Sequence, residues 1–337
     1  MLRTSIYFLV IAVVSCFAAD ISISTLEPWL ELKKIGLGML SPDLFSLPEF
    51  GSALFNTVSF ALLGIVLAIT FGSCLSLFFE NMAVRLFCSF IRSIHEIFWA
   101  FILMPLVGLN SLCGILAIGI PYAGVFAKVY AEIRQESDQR PAQALPIATG
   151  RLSVLFFAIL PQILPYLKNY TSYRFECALR SSAILGFIGL PTLGYHLETA
   201  FREGLYSEAA ALLYCLYLLI FSLKFWTKPK ILLLALGAEV FFTSWDISLS
   251  LANIIRFFTY DILPWPMRAE GFYSGSQSLS LSLSAIFSWI IDIFRTDALP
   301  GIWNTVLLTQ IALVATDVFT LITFPLASRA FYSKKVT

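Results

Sequence analysis

The sequence predicts an all-α membrane protein that crosses the bilayer several times. Hydrophobic residues make up 58% of the 337-residue chain and charged residues only 13%, about half the charged share of a soluble domain. The mean hydropathy is +0.83. Residues 50–79 carry no charged side chain, and about 20 apolar residues suffice for one spanning helix.

Composition and motifs also argue against several other classes. The net charge of +1 does not favour binding to nucleic acid. The six cysteines are scattered without a CxxC pair, and the two histidines lie far apart, so neither a zinc site nor a disulfide framework is supported. The chain has no phosphate-binding G-x-x-x-x-G-K-[ST] loop, no G-x-S-x-G elbow and no H-E-x-x-H pair. We therefore predict no enzyme activity, no catalytic residue, no cofactor and no metal.

The chain begins with an apolar segment that follows Arg3 and ends at Ala19. A signal peptide would have the same pattern, but we expect an uncleaved helix, because the rest of the chain is membrane-embedded as well. Residues 20–50 mix apolar and charged side chains, which predicts an amphipathic segment on the external membrane surface.

The remaining apolar segments predict further spanning helices. In chain order they are 50–79, 96–128 (two helices joined at 108–111 and kinked at Pro105 and Pro121), one span at either 152–166 or 164–186, then 207–223, 231–245 and, after a long external stretch, 302–326. This gives about eight helices with both termini in the cytoplasm. Thirteen lysines and arginines then fall inside, six outside and three in the ambiguous segment, as the positive-inside rule requires.

A polar window interrupts the apolar pattern between Lys128 and Arg151. Its charged residues are Lys128, Glu132, Arg134, Glu136, Asp138, Arg140 and Arg151. Each charge at the bilayer centre costs about 2.5–3.5 kcal/mol, so the window must face water. Its basic excess places it on the cytoplasmic side.

A weak internal repeat divides the chain. Asn56-Thr57-Val58 recurs as Asn304-Thr305-Val306, and Asp43-Leu44-Phe45 recurs as Asp292-Ile293-Phe294. Each copy follows a segment predicted to be external and opens an apolar helix. We therefore predict a complete module over residues 1–226, and the opening of a second, incomplete module over residues 227–337.

The polar window and its flanks resemble the phosphonate/phosphite-type permeases of binding-protein-dependent ABC importers. The motifs that carry this resemblance are Arg92-Ser93-Ile94-His95-Glu96, Ala144-Leu145-Pro146-Ile147-Ala148-Thr149-Gly150, Leu160-Pro161-Gln162-Ile163-Leu164-Pro165, Tyr173-Arg174-Phe175-Glu176 and Ile184-Leu185-Gly186-Phe187-Ile188-Gly189. They cover roughly residues 42–221. The resemblance implies a type I ABC importer transmembrane domain.

The resemblance also assigns roles to residues. In this family a cytoplasmic coupling loop, here about 130–161, docks on the ATPase. The matching positions are Gln143, Ala144, Gly150, Leu160 and Pro161. The glycine would permit a bend, and the proline would restart a helix. The family glutamate is replaced by Ala144, the spacing from Gly150 to Pro161 is about two residues short, and Pro146 interrupts the expected helix.

Three charged residues at predicted membrane depth are candidates for a substrate pathway: Arg174, Glu176 and Arg180. The planar guanidinium of an arginine can bind an oxyanion through two hydrogen bonds. Alternatively, Glu176 and Arg180 form a structural pair at i,i+4, or the segment lies at the membrane interface. His95-Glu96 is more consistent with a helix start than with a proton relay.

The resemblance implies a permease subunit in the bacterial inner membrane that moves a phosphonate or related phosphorus oxyanion. The implied partners are a cytoplasmic ABC ATPase dimer, a periplasmic solute-binding protein, a second permease module or homodimer partner, and membrane lipid; nucleic acid is not among them. The alternatives are a non-transporting or degenerate scaffold and an importer of another small solute. A lipid-modifying membrane enzyme would need a polar catalytic cluster, which the sequence does not contain.

Overall fold

The computed structural model describes residues 2–19, 27–43, 49–146, 149–226, 237, 251–263 and 283–327. Every regular element within these ranges is a helix, which confirms the predicted all-α class. Residues 1–28 with 262–337 form one compact unit, and residues 29–261 form another. Apart from residue 237, the predicted helix at 231–245 lies outside the described residues.

Helices account for most of the described residues. In chain order they are α1 (Leu2–Ala18), α2 (Pro28–Leu40), α3 (Phe50–Leu77), α4 (Met82–Ser93), α5 (Glu96–Val107), α6 (Ser111–Glu136), α7 (Arg140–Gln143), α8 (Arg151–Ser153), α9 (Leu160–Ile184), α10 (Leu193–Arg202), α11 (Tyr206–Trp226), α12 (Leu251–Arg256), α13 (Leu283–Ile293) and α14 (Leu299–Ala327). A π-helical segment, Val154–Ile159, continues α8 into α9, and another, Phe294–Ala298, continues α13 into α14.

Several helices are long and apolar enough to cross a membrane. Among the described residues these are Phe50–Leu77, Ser111–Glu136, Tyr206–Leu223 and Ile286–Pro325. Two bent pairs raise the count from four to six if each is one span: α4 with α5, bent by 93°, and Val154–Ile188 with α10, bent by 50°. Ile6–Ala18 is a shorter apolar helix. The chain is thus a multi-pass membrane protein, while the count of eight and the cytoplasmic termini stay predictions.

The larger unit is built on the packing of α3 against α6. Gly64, Ala68 and Gly72 follow one another at four-residue spacing on α3 and are buried there. A Cβ atom added to Gly72 would lie 2.6 Å from the Cβ atom of Phe126. Small side chains at this spacing let two membrane helices approach closely, so this stripe sets the distance between α3 and α6.

The start of α3 holds the corner between α9 and α10. The side-chain amide of Asn56 donates to the backbone carbonyl of Pro191 at 2.9 Å, and the buried Thr57 hydroxyl accepts from the Leu193 N–H at 2.9 Å. The chain turns at Gly189, whose φ of 97° lies in the left-handed region that favours glycine. The first copy of the repeated Asn-Thr pair therefore has a structural role at this corner.

Helix α2 packs on the start of α11. The Tyr206 hydroxyl donates to Glu31 at 2.8 Å, and the Tyr214 hydroxyl donates to the carbonyl of Met39 at 2.8 Å. Hydrogen bonds from Lys34 and then Tyr206 lower the pKa of the Glu31 carboxyl, which keeps it ionised as an acceptor. Part of the predicted amphipathic segment is thus a helix held to the bundle by side-chain hydrogen bonds.

Four sequence expectations need correction. The polar window begins as helix, because α6 continues through Pro121 to Glu136. The two alternative spans at 152–166 and 164–186 belong to one helical run. A short π-helical segment, Val154–Ile159, is part of that run. Residues before Pro300, which were placed in a long external stretch without a helix, are helical from Leu283 onward. Asp43 follows α2, whereas Asp292 lies within α13, so the two Asp-containing repeat elements differ in structure.

In the smaller unit, α1 packs along α14. Few residues of the continuous helix Ile286–Pro325 are fully buried. Asp317 lies within α14, and its side chain is exposed.

Candidate functional site

The predicted coupling-loop residues lie on an exposed connection between α6 and α9. Gln143 ends the short helix α7 and Ala144 caps it, and both side chains are exposed. Pro161 lies in the first turn of α9, and Leu160 beside it is half-buried. Because the π-helical segment Val154–Ile159 runs into α9 without a break, the helix does not restart at this proline, and the coupling role of Pro161 stays a prediction.

Gly150 differs from the expectation that a glycine is needed for a bend. Its φ is not among the left-handed glycine angles of the described residues, and a Cβ atom added to it would meet nothing closer than the Ser153 hydroxyl at 4.0 Å. An alanine therefore fits at this position within the isolated chain. Any requirement for glycine here must come from a partner that approaches the loop.

The structure adds exposed apolar residues to this loop that the sequence analysis did not single out. Leu152 is 63% exposed, Phe156 55% and Phe157 82%. They follow directly on the charged window, and this position beside Arg151 was the signal that could have found them. Large apolar side chains grouped on a polar loop are typical of protein or membrane contacts.

Arg174 lies among three tyrosine rings. Its Nε atom donates to the Tyr170 hydroxyl at 2.7 Å. Its Cζ atom lies 5.9 Å from the ring centroid of Tyr122, 5.3 Å from that of Tyr170 and 5.6 Å from that of Tyr173. The negative faces of aromatic rings stabilise a cation at such distances. Sequence spacing brings Tyr170 and Tyr173 close to Arg174 on α9, whereas Tyr122 comes from α6.

Glu176 and Arg180 form a separate pair. Their side chains make an i,i+4 ion pair along α9, with the Arg180 side chain 60% exposed and that of Glu176 37% exposed. The predicted shared helix face is confirmed. The structure thus divides the three candidate residues: Arg174 is enclosed by aromatic rings, and the other two satisfy each other on the outer side of the helix.

A chain of hydrogen bonds joins α5, α9 and α6 next to Arg174. The Ser181 hydroxyl donates to Glu96 Oε1 at 2.5 Å, and the Tyr122 hydroxyl lies 3.2 Å from the same serine oxygen. His95 is the N-cap of α5, accepting from the Ile97 N–H, which confirms the predicted helix start. Glu96, however, is only 13% exposed at its side chain and contacts a residue 85 positions away, which the sequence could not indicate.

The charge balance around Arg174 is the main electrostatic feature of this site. Among the described residues no carboxylate lies within ion-pair distance of its guanidinium, and Tyr170 is its hydrogen-bond partner. Both terminal nitrogens are therefore available to an incoming acceptor. A half-buried cation held by rings rather than by an acid is suited to binding an anion. No group of three possible metal ligands occurs in the part of the chain that the structure describes.

Several known proteins with similar sequences are transport system permeases. No family model matches the chain. Its sequence is 30% identical over 112 residues to the cryptic phosphonate transport system permease protein PhnE2 of Escherichia coli K12, and the match spans 91% of that protein and 33% of this chain. The chain belongs to the phosphonate and phosphite transport system permeases.

Two further permeases match longer parts of the chain. The phosphite transport system permease protein PtxC of Stutzerimonas stutzeri is 28% identical over 184 residues, which is 52% of this chain and 67% of PtxC. HtxE of the same organism, also named for phosphite transport, is 32% identical over 146 residues, 43% of this chain. The chain spans 56% of the length of HtxE.

Among solved structures, the chain is similar to a subunit of the MetNI methionine ABC transporter in an inward-facing conformation. The sequence identity is 17% and the TM-score 0.44, and the match covers 63% of this chain and 99% of the other.

Proposed function

We propose that this chain is the membrane permease subunit of an ABC importer that carries a phosphonate, phosphite or related phosphorus oxyanion across the bacterial inner membrane. The similarity to permeases named for phosphite and phosphonate transport carries the proposal. A permease supplies the pathway and hydrolyses no ATP itself. That work falls to a cytoplasmic ABC ATPase dimer, and a periplasmic solute-binding protein delivers the substrate.

In this proposal Arg174 serves the pathway. Phosphonate and phosphite are anions, and this guanidinium has no carboxylate partner among the described residues. A passing oxyanion would accept hydrogen bonds from its terminal nitrogens. The tyrosine rings hold the guanidinium in place before the oxyanion arrives. Glu176 and Arg180 line the same helix and neutralise each other, so we assign them a smaller part.

The connection from 130 to 161 would transmit the movement of the ATPases. Its exposed residues Gln143, Ala144 and Gly150 are free for a partner, and Pro161 begins the helix that leads to Arg174. A displacement of this loop would therefore pass along α9 to the pathway. A second module must complete the channel, and we propose that the opening at 227–337 pairs with further permease sequence or with a second copy of the chain.

The test is copurification of the chain with its candidate ATPase in lipid, with ATP hydrolysis and oxyanion uptake as the readouts. Gly150→Asp adds a charge where a partner would approach, while Gly150→Ala is the matched control, because a Cβ atom meets open space there. We expect the aspartate variant to lose association and coupled hydrolysis and the alanine variant to keep both.

A second candidate function is a membrane scaffold that does not transport. Ala144 at the position of the family glutamate and the shortened spacing before Pro161 favour it. If the unchanged chain does not bind the ATPase, the importer proposal is wrong and the scaffold is the better description. If the chain binds the ATPase and the complex hydrolyses ATP but moves another solute, only the substrate assignment fails.

A further inference from the structure

A charged cavity lies at the end of the bundle that carries the polar loop, away from Arg174. It has a volume of about 560 Å³ and is lined by the turn between α3 and α4, by α4 and by the last turns of α6. Its charged lining residues are Glu80, Arg85, Arg92, Lys128 and Glu132. We propose that this cavity binds the phosphodiester headgroup of an anionic phospholipid.

The proposal places the cavity at the level of lipid headgroups. α4 is bent by 93° from α5, and both helices pack on α6, a spanning helix. In the proposed arrangement α4 lies along the membrane surface. Leu86, Phe87 and Phe90 are 54–61% exposed on one side of this helix. An amphipathic helix in this position buries such side chains at the boundary between headgroups and acyl chains.

The basic residues of α4 lie on its other side. Arg85 and Arg92 are seven residues apart, close to two helical turns, so both face the cavity. Leu86 and Met82 line the same cavity, which connects its polar interior to the apolar side of α4. A phospholipid has this distribution, with a phosphate at one end and acyl chains at the other.

The charges of the cavity match one negative charge. Lys128 and Glu132 form an i,i+4 ion pair at 3.4 Å and neutralise each other. Neither Arg85 nor Arg92 makes an ion pair among the described residues, and together they exceed Glu80 by one positive charge. A phosphodiester supplies that one charge, and arginine binds phosphate oxygens through two parallel hydrogen bonds.

The cavity is held in shape by tight packing. A Cβ atom added to Gly124 of α6 would lie 2.7 Å from the backbone oxygen of Cys88, and Cys88 and Ile91 of α4 are buried. α4 therefore cannot shift toward α6 and close the space. Basic pockets between membrane helices are known sites for anionic lipid headgroups.

The experiment measures the dissociation constant of phosphatidylglycerol for the purified full-length chain by native mass spectrometry, with phosphatidylcholine as the neutral comparison. We expect preference for phosphatidylglycerol, weakened roughly fivefold for each arginine removed in Arg85→Gln/Arg92→Gln. The charge-matched control Arg202→Gln/Arg295→Gln removes two exposed arginines outside the cavity and should keep the preference. Arg85→Lys/Arg92→Lys should keep most of it, provided that all variants elute as the same species in size exclusion.

Three results would overturn the proposal. One is equal binding of the two lipids by the unchanged chain, and another is an equal loss in the glutamine variant and in its control. The third is release of phosphatidylglycerol by millimolar inorganic phosphate, which would assign the cavity to a soluble anion instead. Persistence of lipid binding in the presence of phosphate supports the headgroup site.

Discussion

Arg174 is the residue on which the proposed transport chemistry depends. Its surroundings are aromatic and hydroxylic, so its positive charge is stabilised without being neutralised. The neighbouring pair of Glu176 and Arg180 shows the contrast, since each of those charges already has its partner. Three charged residues within seven positions of one helix thus divide into one available cation and one closed pair.

We expect Arg174→Gln to lower the kcat/KM of oxyanion uptake roughly 10- to 150-fold. A charge-assisted hydrogen bond, which this change removes, contributes about 1.5–3 kcal/mol. Arg174→Lys keeps the charge but loses the planar fork, so its loss should be intermediate. Uptake of labelled phosphite into proteoliposomes containing the assembled transporter measures both. The control is Arg202→Gln, an arginine in an exposed i,i+4 ion pair with Glu198 on α10. Equal uptake by the Arg174→Gln variant and the unchanged chain would remove Arg174 from the pathway.

The sequence predicted part of this site. Arginine at membrane depth identified Arg174. The tyrosines around it were not predicted, although i,i+4 spacing could have indicated Tyr170. Tyr122 and the contact of Glu96 with Ser181 depend on how α5, α6 and α9 pack, which no local pattern encodes. The role expected for Gly150 stays a prediction, since its backbone angle is one that other residues also adopt.

Among the elements, the α3–α6 pair has the strictest steric requirement. We expect Gly72→Ala to destabilise the chain by about 1–3 kcal/mol, because the new methyl group would overlap Phe126 and the carbonyl of Ala123. The thermal unfolding midpoint in detergent measures this. Gly51→Ala in the same helix meets open space and should leave the midpoint unchanged or slightly raised. Equal lowering of both midpoints would contradict the packing argument.

The corner at Pro191–Leu193 gives a second test at this scale. We expect Thr57→Val to cost about 1–3 kcal/mol of stability, because it leaves the buried Leu193 N–H without an acceptor. Thr70→Val in α3 is the matched control, since the Thr70 hydroxyl is exposed and bonds only within its own helix, to Val66. The same thermal unfolding measurement compares them, and indistinguishable midpoints would show that the corner does not depend on this hydroxyl.

One predicted break coincides with a side-chain cap. Asn110 caps α6 by accepting from the Cys113 N–H, and the break predicted at 108–111 lies there. The end of α6 was not predicted. Charged residues after Lys128 suggested a loop, but a helix can project beyond the bilayer and keep its hydrogen bonds in water, so α6 continues to Glu136.

At the scale of the whole molecule, the orientation in the membrane rests on the distribution of basic residues. We expect reporter fusions truncated at residues 139 and 337 to fluoresce as cytoplasmic green fluorescent protein. A fusion at residue 109, in the turn between α5 and α6, should instead show external alkaline phosphatase activity. The opposite pattern at 109 and 139 would invert the topology, and an external signal at 337 alone would change the helix count.

The two modules inferred from the repeat differ in how far their opening helices are covered. In α3 the pair Asn56 and Thr57 holds a corner, and the small-residue stripe packs on α6. In α14 the Thr305 hydroxyl bonds to its own helix, at Gly301, and few residues of the helix are fully buried. The repeat was visible in the sequence, but this difference in packing was not.

The exposed Asp317 on α14 has a consequence for how the protein is produced. A carboxylate facing lipid near the middle of a spanning helix costs about 2.5–3.5 kcal/mol during insertion, and a neighbouring protein surface or a water-filled channel removes that cost. We therefore expect a newly made chain without its neighbours to insert less stably and to be degraded by quality-control proteases. We expect its abundance in the cell to depend on the amount of the protein that covers α14, and not on the transcription rate of its own gene.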